Sequence, residues 1–122
     1  MALLSVKPDT ARSIEIGNIS MNLNTFEVSV GEQLVDMSYQ EFELLRLLML
    51  QPNKILPHSE ITLCLWSASG KQYLRRLAVL IHRVRAKLAS SQPYALKGAR
   101  GRGYGLIAVR LPSERGAAVP EG

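Results

Sequence analysis

The residues best suited to chemistry lie between positions 72 and 89, where long cationic side chains recur at helical spacing. Guanidinium groups bind phosphate oxygens, and an arginine can also grip a guanine edge through two hydrogen bonds. This pattern favours contact with a nucleic acid over catalysis. The set comprises Arg75, Arg76, His82, Arg83 and Lys87, with Val79 among them.

The charges of the chain are divided unevenly along its length. Residues 1–60 contain eight Asp and Glu against four Lys and Arg, whereas residues 61–113 contain ten Lys and Arg and no acid. A solvated protein surface normally mixes both signs of charge. The second half therefore suits a polyanionic partner. Charge alone leaves a merely solvated face as the alternative.

Enzyme and metal chemistry find little support in the sequence. No Ser, Cys or carboxylate stands in a motif with a recognisable base, and the single cysteine, Cys64, with His58 and His82 does not form a zinc-binding pattern. We therefore expect no enzyme activity, no metal and no cofactor. Cys64 lies in an apolar run, which predicts a small core residue.

The length and composition predict one globular domain. The chain has 122 residues, of which 47% are hydrophobic, enough for a single core. We expect this domain to span 14–110, after a flexible lead over 1–13 and before a disordered tail over 111–122. No apolar run approaches the roughly 20 residues of a membrane-spanning helix, and the start lacks a signal-peptide pattern, so a cytoplasmic protein without a membrane partner is predicted.

The elements that must position the cationic residues begin with four short strands. Turn-forming pairs separate them: Gly17-Asn18, Asn24-Thr25 and Gly31-Glu32. Together they predict a small antiparallel meander over 14–16, 19–23, 26–30 and 33–35.

Two helices should follow this meander. Ser38 and Glu41 have the spacing of a capping box, which predicts a helix that begins near Tyr39 and ends before Pro52. This helix is apolar on so much of its circumference that it should be buried. A shorter helix is predicted over about 57–66.

The third predicted helix, over about 72–89, has two distinct faces. An apolar stripe should face the core and consists of Leu74, Leu77, Ile81, Val84 and Leu88. The opposite face should be exposed, and a helix of this width fits the major groove of B-DNA. We expect on that face Arg75, Arg76, Val79, Leu80, His82, Arg83, Ala86 and Lys87.

Two extended segments, about 94–98 and 104–109, close the domain. Residues 99–103 join them and contain Arg100 and Arg102 between glycines, as a tight turn needs. The sequence thus predicts a hairpin with arginines at its tip.

This order of elements resembles the effector domain of the OmpR/PhoB family of bacterial transcription regulators, over about residues 14–109. The resemblance rests on four segments in the same order: 37–45 (MSYQEFELL), Leu65-Trp66, 81–88 (IHRVRAKL) and 100–104 (RGRGY). It implies an α+β fold, a winged helix-turn-helix with an N-terminal antiparallel β-meander, three helices and a C-terminal β-hairpin wing.

The resemblance also implies roles for individual residues. Arg83 matches the family's major-groove reader, and Arg100 matches the arginine that enters the minor groove. Five further residues match positions that touch phosphates: Trp66, Arg75, Arg76, His82 and Tyr104. Of these, Trp66 and Tyr104 could instead be partly core, and Arg75 and His82 could be merely solvated. The resulting DNA-binding set is Trp66, Arg75, Arg76, Val79, His82, Arg83, Lys87, Arg100, Arg102 and Tyr104.

The chain departs from the family pattern in three ways. Ala78 and Leu80 stand where the family commonly has an acid and a histidine, so a phosphate contact should be lost and an apolar side chain could approach a thymine methyl. Pro57 replaces a capping serine, which should move the helix cap to a neighbouring residue. Only about thirteen residues precede the first strand, so a stand-alone regulator and the effector portion of a longer protein with a receiver domain both remain open.

We therefore predict a transcriptional regulator that binds specific sequences of double-stranded DNA. The helix over about 72–89 should occupy the major groove, and the wing over about 98–104 the minor groove. RNA polymerase, through the loop at 67–73, and a second copy on DNA are further candidate partners. The alternatives are a non-specific binder of RNA or DNA and a winged-helix module that binds a protein.

Overall fold

The computed structural model describes residues 12–109, in which four strands precede a three-helix unit and a terminal hairpin. The predicted tail over 111–122 lies outside the described residues, as does most of the predicted lead, although Ser13 already belongs to the first strand. The elements in chain order are β1 (Ser13–Ile16), β2 (Ile19–Asn22), β3 (Glu27–Val30), β4 (Gln33–Val35), α1 (Tyr39–Met49), β5 (Leu56–Pro57), α2 (His58–Trp66), α3 (Lys71–Lys87), β6 (Tyr94–Ala99) and β7 (Gly103–Ala108).

The first four strands form the predicted antiparallel meander, in the order β1-β2-β3-β4. Ile19 pairs with Val30 and Met21 with Val28, and all four side chains are buried. Because alternate residues of a strand point to opposite faces, these pairs give the sheet one apolar face. This face packs into the core beneath the helices.

Phe26 was predicted to begin β3, and this expectation is wrong. Its backbone has a φ of 64°, and its amide donates to the Asn22 carbonyl at 2.8 Å. The Asn22 side chain also accepts the amides of Asn24 and Thr25. These bonds close a turn that holds Phe26 in the left-handed region, so the strand begins one residue later.

Helix α1 begins as the capping box predicts. The Glu41 amide donates to Ser38 Oγ at 3.2 Å, and the Ser38 amide donates to Glu41 Oε1 at 2.9 Å. Apolar residues on several sides of this helix are buried, which makes it the centre of the core. They are Phe42, Leu44, Leu45, Leu48 and Met49.

The predicted position of Cys64 in the core is wrong, because Cys64 is exposed. The buried face of α2 is centred on Ile61 and Thr62 and continues through the half-buried Leu65 and Trp66. At about 100° per residue, Cys64 lies well outside that face. The apolar run alone did not reveal which side of this short helix meets the core.

Two leucines of α3 exchange the places predicted for them. Leu80 is buried and belongs to the core, whereas Leu74 is 41% exposed. Leu80 lies one turn from Leu77 and Val84, so it widens the buried stripe. Leu74 instead borders an open cleft near the N-terminus of α2.

A second sheet, with the order β5-β7-β6, contains a strand that we did not predict. In β5, Leu56 and Pro57 pair with Tyr104 and Gly103. A Cβ on Gly103 would overlap the Leu56 carbonyl, so only glycine permits this approach. A pairing of two residues leaves no periodic pattern in the sequence.

The cap of α2 also differs from our expectation. Pro57 itself is the N-cap, and no side chain caps the helix. The carbonyl of Arg102, in the hairpin turn, accepts the His58 amide at 3.1 Å. A main-chain group from the hairpin thus satisfies one of the free amides that a helix start leaves. Among the described residues, no helix has the length and apolar character needed to cross a membrane.

We expect Leu45→Ala to lower the free energy of unfolding by about 2 to 5 kcal/mol, because it empties a buried site in α1. Leu45 has no exposed surface, whereas Leu50, at the end of the same helix, is 54% exposed. Leu50→Ala is the matched control and should cost less than about 0.5 kcal/mol. Urea denaturation followed by circular dichroism measures both, and equal losses would contradict this assignment of the core.

Candidate nucleic-acid interface

The exposed face of α3 displays most of the predicted contact residues together. Leu77, Ile81 and Val84 hold the opposite face in the core, so the remaining side chains must project into solvent. We use the term reading face for the exposed residues of this helix, which include Arg75, Arg76, Ala78, Val79, His82, Arg83 and Ala86.

Apolar side chains also occur on the reading face. Val79 is 48% exposed and lies on the same helix face as the exposed Arg76 and Arg83. Leu80, which we considered as a possible contact to a thymine methyl, is buried and cannot reach a ligand. Val79 and Ala78 are therefore the small apolar groups that this part of the helix presents.

The tip of the β6–β7 hairpin carries two exposed arginines. The Arg102 amide donates to the Ala99 carbonyl at 2.8 Å and closes the turn. Gly101 adopts a φ of 75° there, a conformation that glycine reaches without strain. Arg100 and Arg102 flank this glycine and both are exposed. The hairpin thus presents two cations on a short rigid turn.

Tyr104 is half-buried at the base of the hairpin. Its ring meets His58 edge to face, with 5.5 Å between ring centroids. A Cβ on Gly98 would come within 3.1 Å of the Tyr104 ring, so the absence of a side chain at Gly98 leaves room for it. Tyr104 therefore has a packing role beside any contact with a ligand.

Arg85 belongs to this surface although our sequence reasoning did not select it. Its Nε donates to the Leu96 carbonyl at 3.3 Å and so joins α3 to β6. Arg85 also lines an open cleft between helix and hairpin, together with His58, Arg100 and Tyr104. A bond from a side chain to a distant carbonyl has no signature in sequence spacing. The missing acids of residues 61–113 were the only available signal.

Lys87 differs from the other cations of α3 because it is paired. Its Nζ donates to Glu41 Oε1 at 2.6 Å, and Glu41 is buried. Burial raises the pKa of Glu41, but hydrogen bonds from Lys87 and the Ser38 amide, with the charges of Lys87 and Arg83, outweigh it and lower the pKa below the ordinary 4.5. Lys87 thus fastens the end of α3 to the start of α1.

Trp66 lies at the end of α2, where its ring is half-buried. Its indole Nε1 is buried and has no hydrogen-bond partner among the described residues. The Arg76 guanidinium lies over the ring, 5.2 Å from its centroid. Trp66 therefore presents an aromatic face rather than a donor.

The described residues contain no group of three or more His, Cys, Asp and Glu that could hold a metal. The exposed groups of α3 and of the hairpin tip include guanidinium, imidazole and small apolar groups. Such a surface binds anions and complements the shape of a groove.

Comparison with known proteins relates the chain to regulators of transcription. The family described as "Transcriptional regulatory protein, C terminal" matches residues 31–106. The chain is 29% identical over 90 residues to the response regulator PmrA of Pseudomonas aeruginosa, a match that covers 74% of this chain and 39% of PmrA. The chain thus spans about two fifths of the length of the curated relatives it matches.

Solved structures share the fold. The DNA-binding domain of Klebsiella pneumoniae RstA, in complex with the RstA box, aligns with a TM-score of 0.71 and 24% identity, over 79% of this chain and 97% of that domain. A structure of the C-terminal DNA-binding domain of the same RstA aligns with a TM-score of 0.67 and 26% identity, over 79% and 89%. The winged helix-turn-helix fold that the sequence predicted is confirmed.

Glu41→Gln should lower the free energy of unfolding at pH 7 by about 1.5 to 3 kcal/mol, because it removes a buried charged hydrogen bond to Lys87. Since the folded state lowers the pKa of Glu41, its contribution is complete above the ordinary value of 4.5 and is lost as the pH falls through the folded-state pKa. The deficit of the variant should therefore shrink on acidification.

The matched control is Glu43→Gln, which removes the partly exposed pair with Arg46 and should cost at most about 1 kcal/mol. Urea denaturation at several pH values distinguishes the two. A deficit of Glu41→Gln that stays constant down to pH 3 would contradict the role of the carboxylate charge.

Proposed function

The chain belongs to the family of C-terminal domains of transcriptional regulatory proteins, and from that premise we propose that it regulates transcription by binding specific sequences of double-stranded DNA. The reading face of α3 enters the major groove, and the tip of the β6–β7 hairpin enters the adjacent minor groove. Arg83 reads a base edge, whereas Arg75, Arg76 and His82 bind phosphates.

One observation carries this proposal. The exposed cations of α3 and of the hairpin tip lie on neighbouring elements, joined by the bond from Arg85 to Leu96, and residues 61–113 contain no acid that would repel a phosphate. A cationic helix of exposed arginines supplies both phosphate contacts and hydrogen bonds to guanine. A solvated face would need neither the rigid link nor the absence of acids.

A non-specific binder of single-stranded RNA is less well supported. Such proteins stack bases on exposed aromatic side chains beside a cationic groove. The most exposed aromatic residues described here, Phe26 and Tyr39, lie in the half of the chain where acids outnumber bases. The basic surface offers arginines on a helix instead.

Further partners extend the proposal. The loop between α2 and α3 comprises residues 67–70, since α3 begins at Lys71, and its exposed Ser67 and Ser69 are where RNA polymerase would make contact. A second copy would bind beside the first on DNA. The chain spans about two fifths of the curated relatives it matches, and the family resemblance implies control by a receiver domain if the chain is part of a longer protein. DNA binding itself would place the protein on the nucleoid of a bacterial cytoplasm.

Selection from a random pool of DNA duplexes tests the function directly, and we expect one sequence to be enriched. Affinity for the enriched sequence should fall by about 0.9 log unit per phosphate contact for each log unit of salt.

Arg83→Ala should weaken binding to the enriched site by about 1 to 3 kcal/mol and relax the base preference at one position. Arg46→Ala, which removes a partly exposed arginine of α1, is the control and should leave the affinity for both kinds of DNA nearly unchanged. If Arg83→Ala lost as much affinity for random DNA as for the enriched site, base reading by Arg83 would be contradicted.

The hairpin should read the width of the minor groove through Arg100. A narrow A·T-rich groove has the strongest negative potential, which attracts an inserted arginine. Flanks of A·T pairs should therefore favour binding, and inverting these pairs should change affinity little because A·T and T·A look alike in that groove. Arg100→Ala should abolish the difference between A·T and G·C flanks, while Arg102→Ala preserves it. An unchanged flank preference in Arg100→Ala would exclude Arg100 as the reader.

A further inference from the structure

Three side chains form a stack across the connection between α2 and α3. The Arg76 guanidinium lies 5.2 Å from the Trp66 ring centroid and 5.5 Å from that of Tyr73. The two rings are 6.1 Å apart with an interplanar angle of 29°. Trp66 ends α2, whereas Tyr73 and Arg76 belong to the first turns of α3. The stack therefore spans residues 67–70 and reaches the reading face.

The position of Trp66 Nε1 decides what this tryptophan can do. The atom is buried and has no hydrogen-bond partner among residues 12–109, so its N–H is not directed at a ligand in solvent. The resemblance had assigned Trp66 a phosphate contact, and an indole can make such a bond only through this N–H. In this structure the ring instead offers its face to a cation.

The geometry at Arg76 leaves its hydrogen-bonding capacity available. A cation–π contact uses the flat face of the guanidinium. Its N–H donors lie in the plane of the group and point outward, where they can bind a phosphate. Arg76 is exposed, and within residues 12–109 its guanidinium makes no hydrogen bond that would compete for these donors. Aromatic contact and phosphate contact are therefore compatible.

Stacking also removes a cost of binding. A free arginine samples many rotamers and loses that freedom when it grips a phosphate. Packed against two rings that also contact each other, Arg76 has already lost much of this freedom before DNA arrives. Tyr73 is well suited to this task, because it lies three residues before Arg76, on the same side of the helix.

We propose that Trp66 and Tyr73 are positioning residues that hold Arg76 ready for a phosphate of the DNA backbone. This inference rests on the proposed function, since it presumes that α3 binds DNA. It assigns Tyr73 a role that nothing in the sequence indicated. It also replaces the direct phosphate contact of Trp66 with an indirect one through Arg76.

A double-mutant cycle on the selected duplex tests the proposal. Tyr73→Leu should weaken binding about twofold to tenfold, the cost of ordering one free arginine side chain, on selected and random DNA alike. Tyr73→Phe keeps the ring and should bind as the unmodified protein does. In an Arg76→Ala background, Tyr73→Leu should cause no further loss. An equal loss in both backgrounds would overturn the proposal, because Tyr73 would then act without Arg76.

The salt dependence of Arg76→Ala tests the phosphate contact itself. Its slope of log affinity against log salt should be shallower by about 0.9, the value for one lost contact. An unchanged slope would show that Arg76 binds no phosphate and would overturn the inference. If the unmodified protein fails to bind any duplex, the proposed function fails first, so the two failures are distinguishable.

Tryptophan emission reports the stack without DNA, since Trp66 is the only tryptophan. Arg76→Ala and Tyr73→Leu should both change the emission of the free protein. Arg75→Ala removes a neighbouring exposed arginine while Arg76 stays over the Trp66 ring, and it should leave the emission unchanged. Equal urea midpoints establish that each variant is folded. Emission that is identical in Arg76→Ala and in the unmodified protein would show that no stack forms in solution.

Discussion

The burial of one face of α3 against the core is the constraint on which the rest of the molecule depends. Leu77, Leu80, Ile81 and Val84 are nearly or fully buried, and α1 is among the elements that α3 contacts. The two faces of a rigid helix cannot rotate independently, so the same packing that removes these four apolar side chains from water fixes where the arginines project. Core stability and the direction of the reading face are consequences of one interaction.

The local elements of the fold were predictable because their signals are local. The capping box at Ser38 and Glu41 lies within one helical turn, and the meander is marked by short turn pairs. Strand β5 was missed because two residues carry no periodicity. Cys64, Leu74 and Leu80 were misplaced because hydropathy ranks residues by type, whereas their exposure depends on which neighbours cover a helix at each turn.

The surface was predictable as a charge pattern but not as a set of contacts. The absence of acids over residues 61–113 singled out the part of the chain that carries the exposed cations of α3 and of the hairpin tip. It could not distinguish Lys87, which pairs with a carboxylate 46 positions away, from Arg83, which remains exposed. Nor could it identify Arg85 as the residue that joins helix to hairpin. Contacts between distant positions follow from the tertiary structure and leave no spacing to detect.

The tip of the hairpin is attached to the start of α2 by main-chain atoms. The Arg102 carbonyl holds the His58 amide, and the backbone at Gly103 lies directly against Leu56. The side chains of Arg100 and Arg102 take no part in this attachment, since it uses only peptide groups. The backbone that holds the tip therefore does not depend on which side chains stand at positions 100 and 102, so these two residues can be exchanged to alter the proposed groove preference while the scaffold is kept.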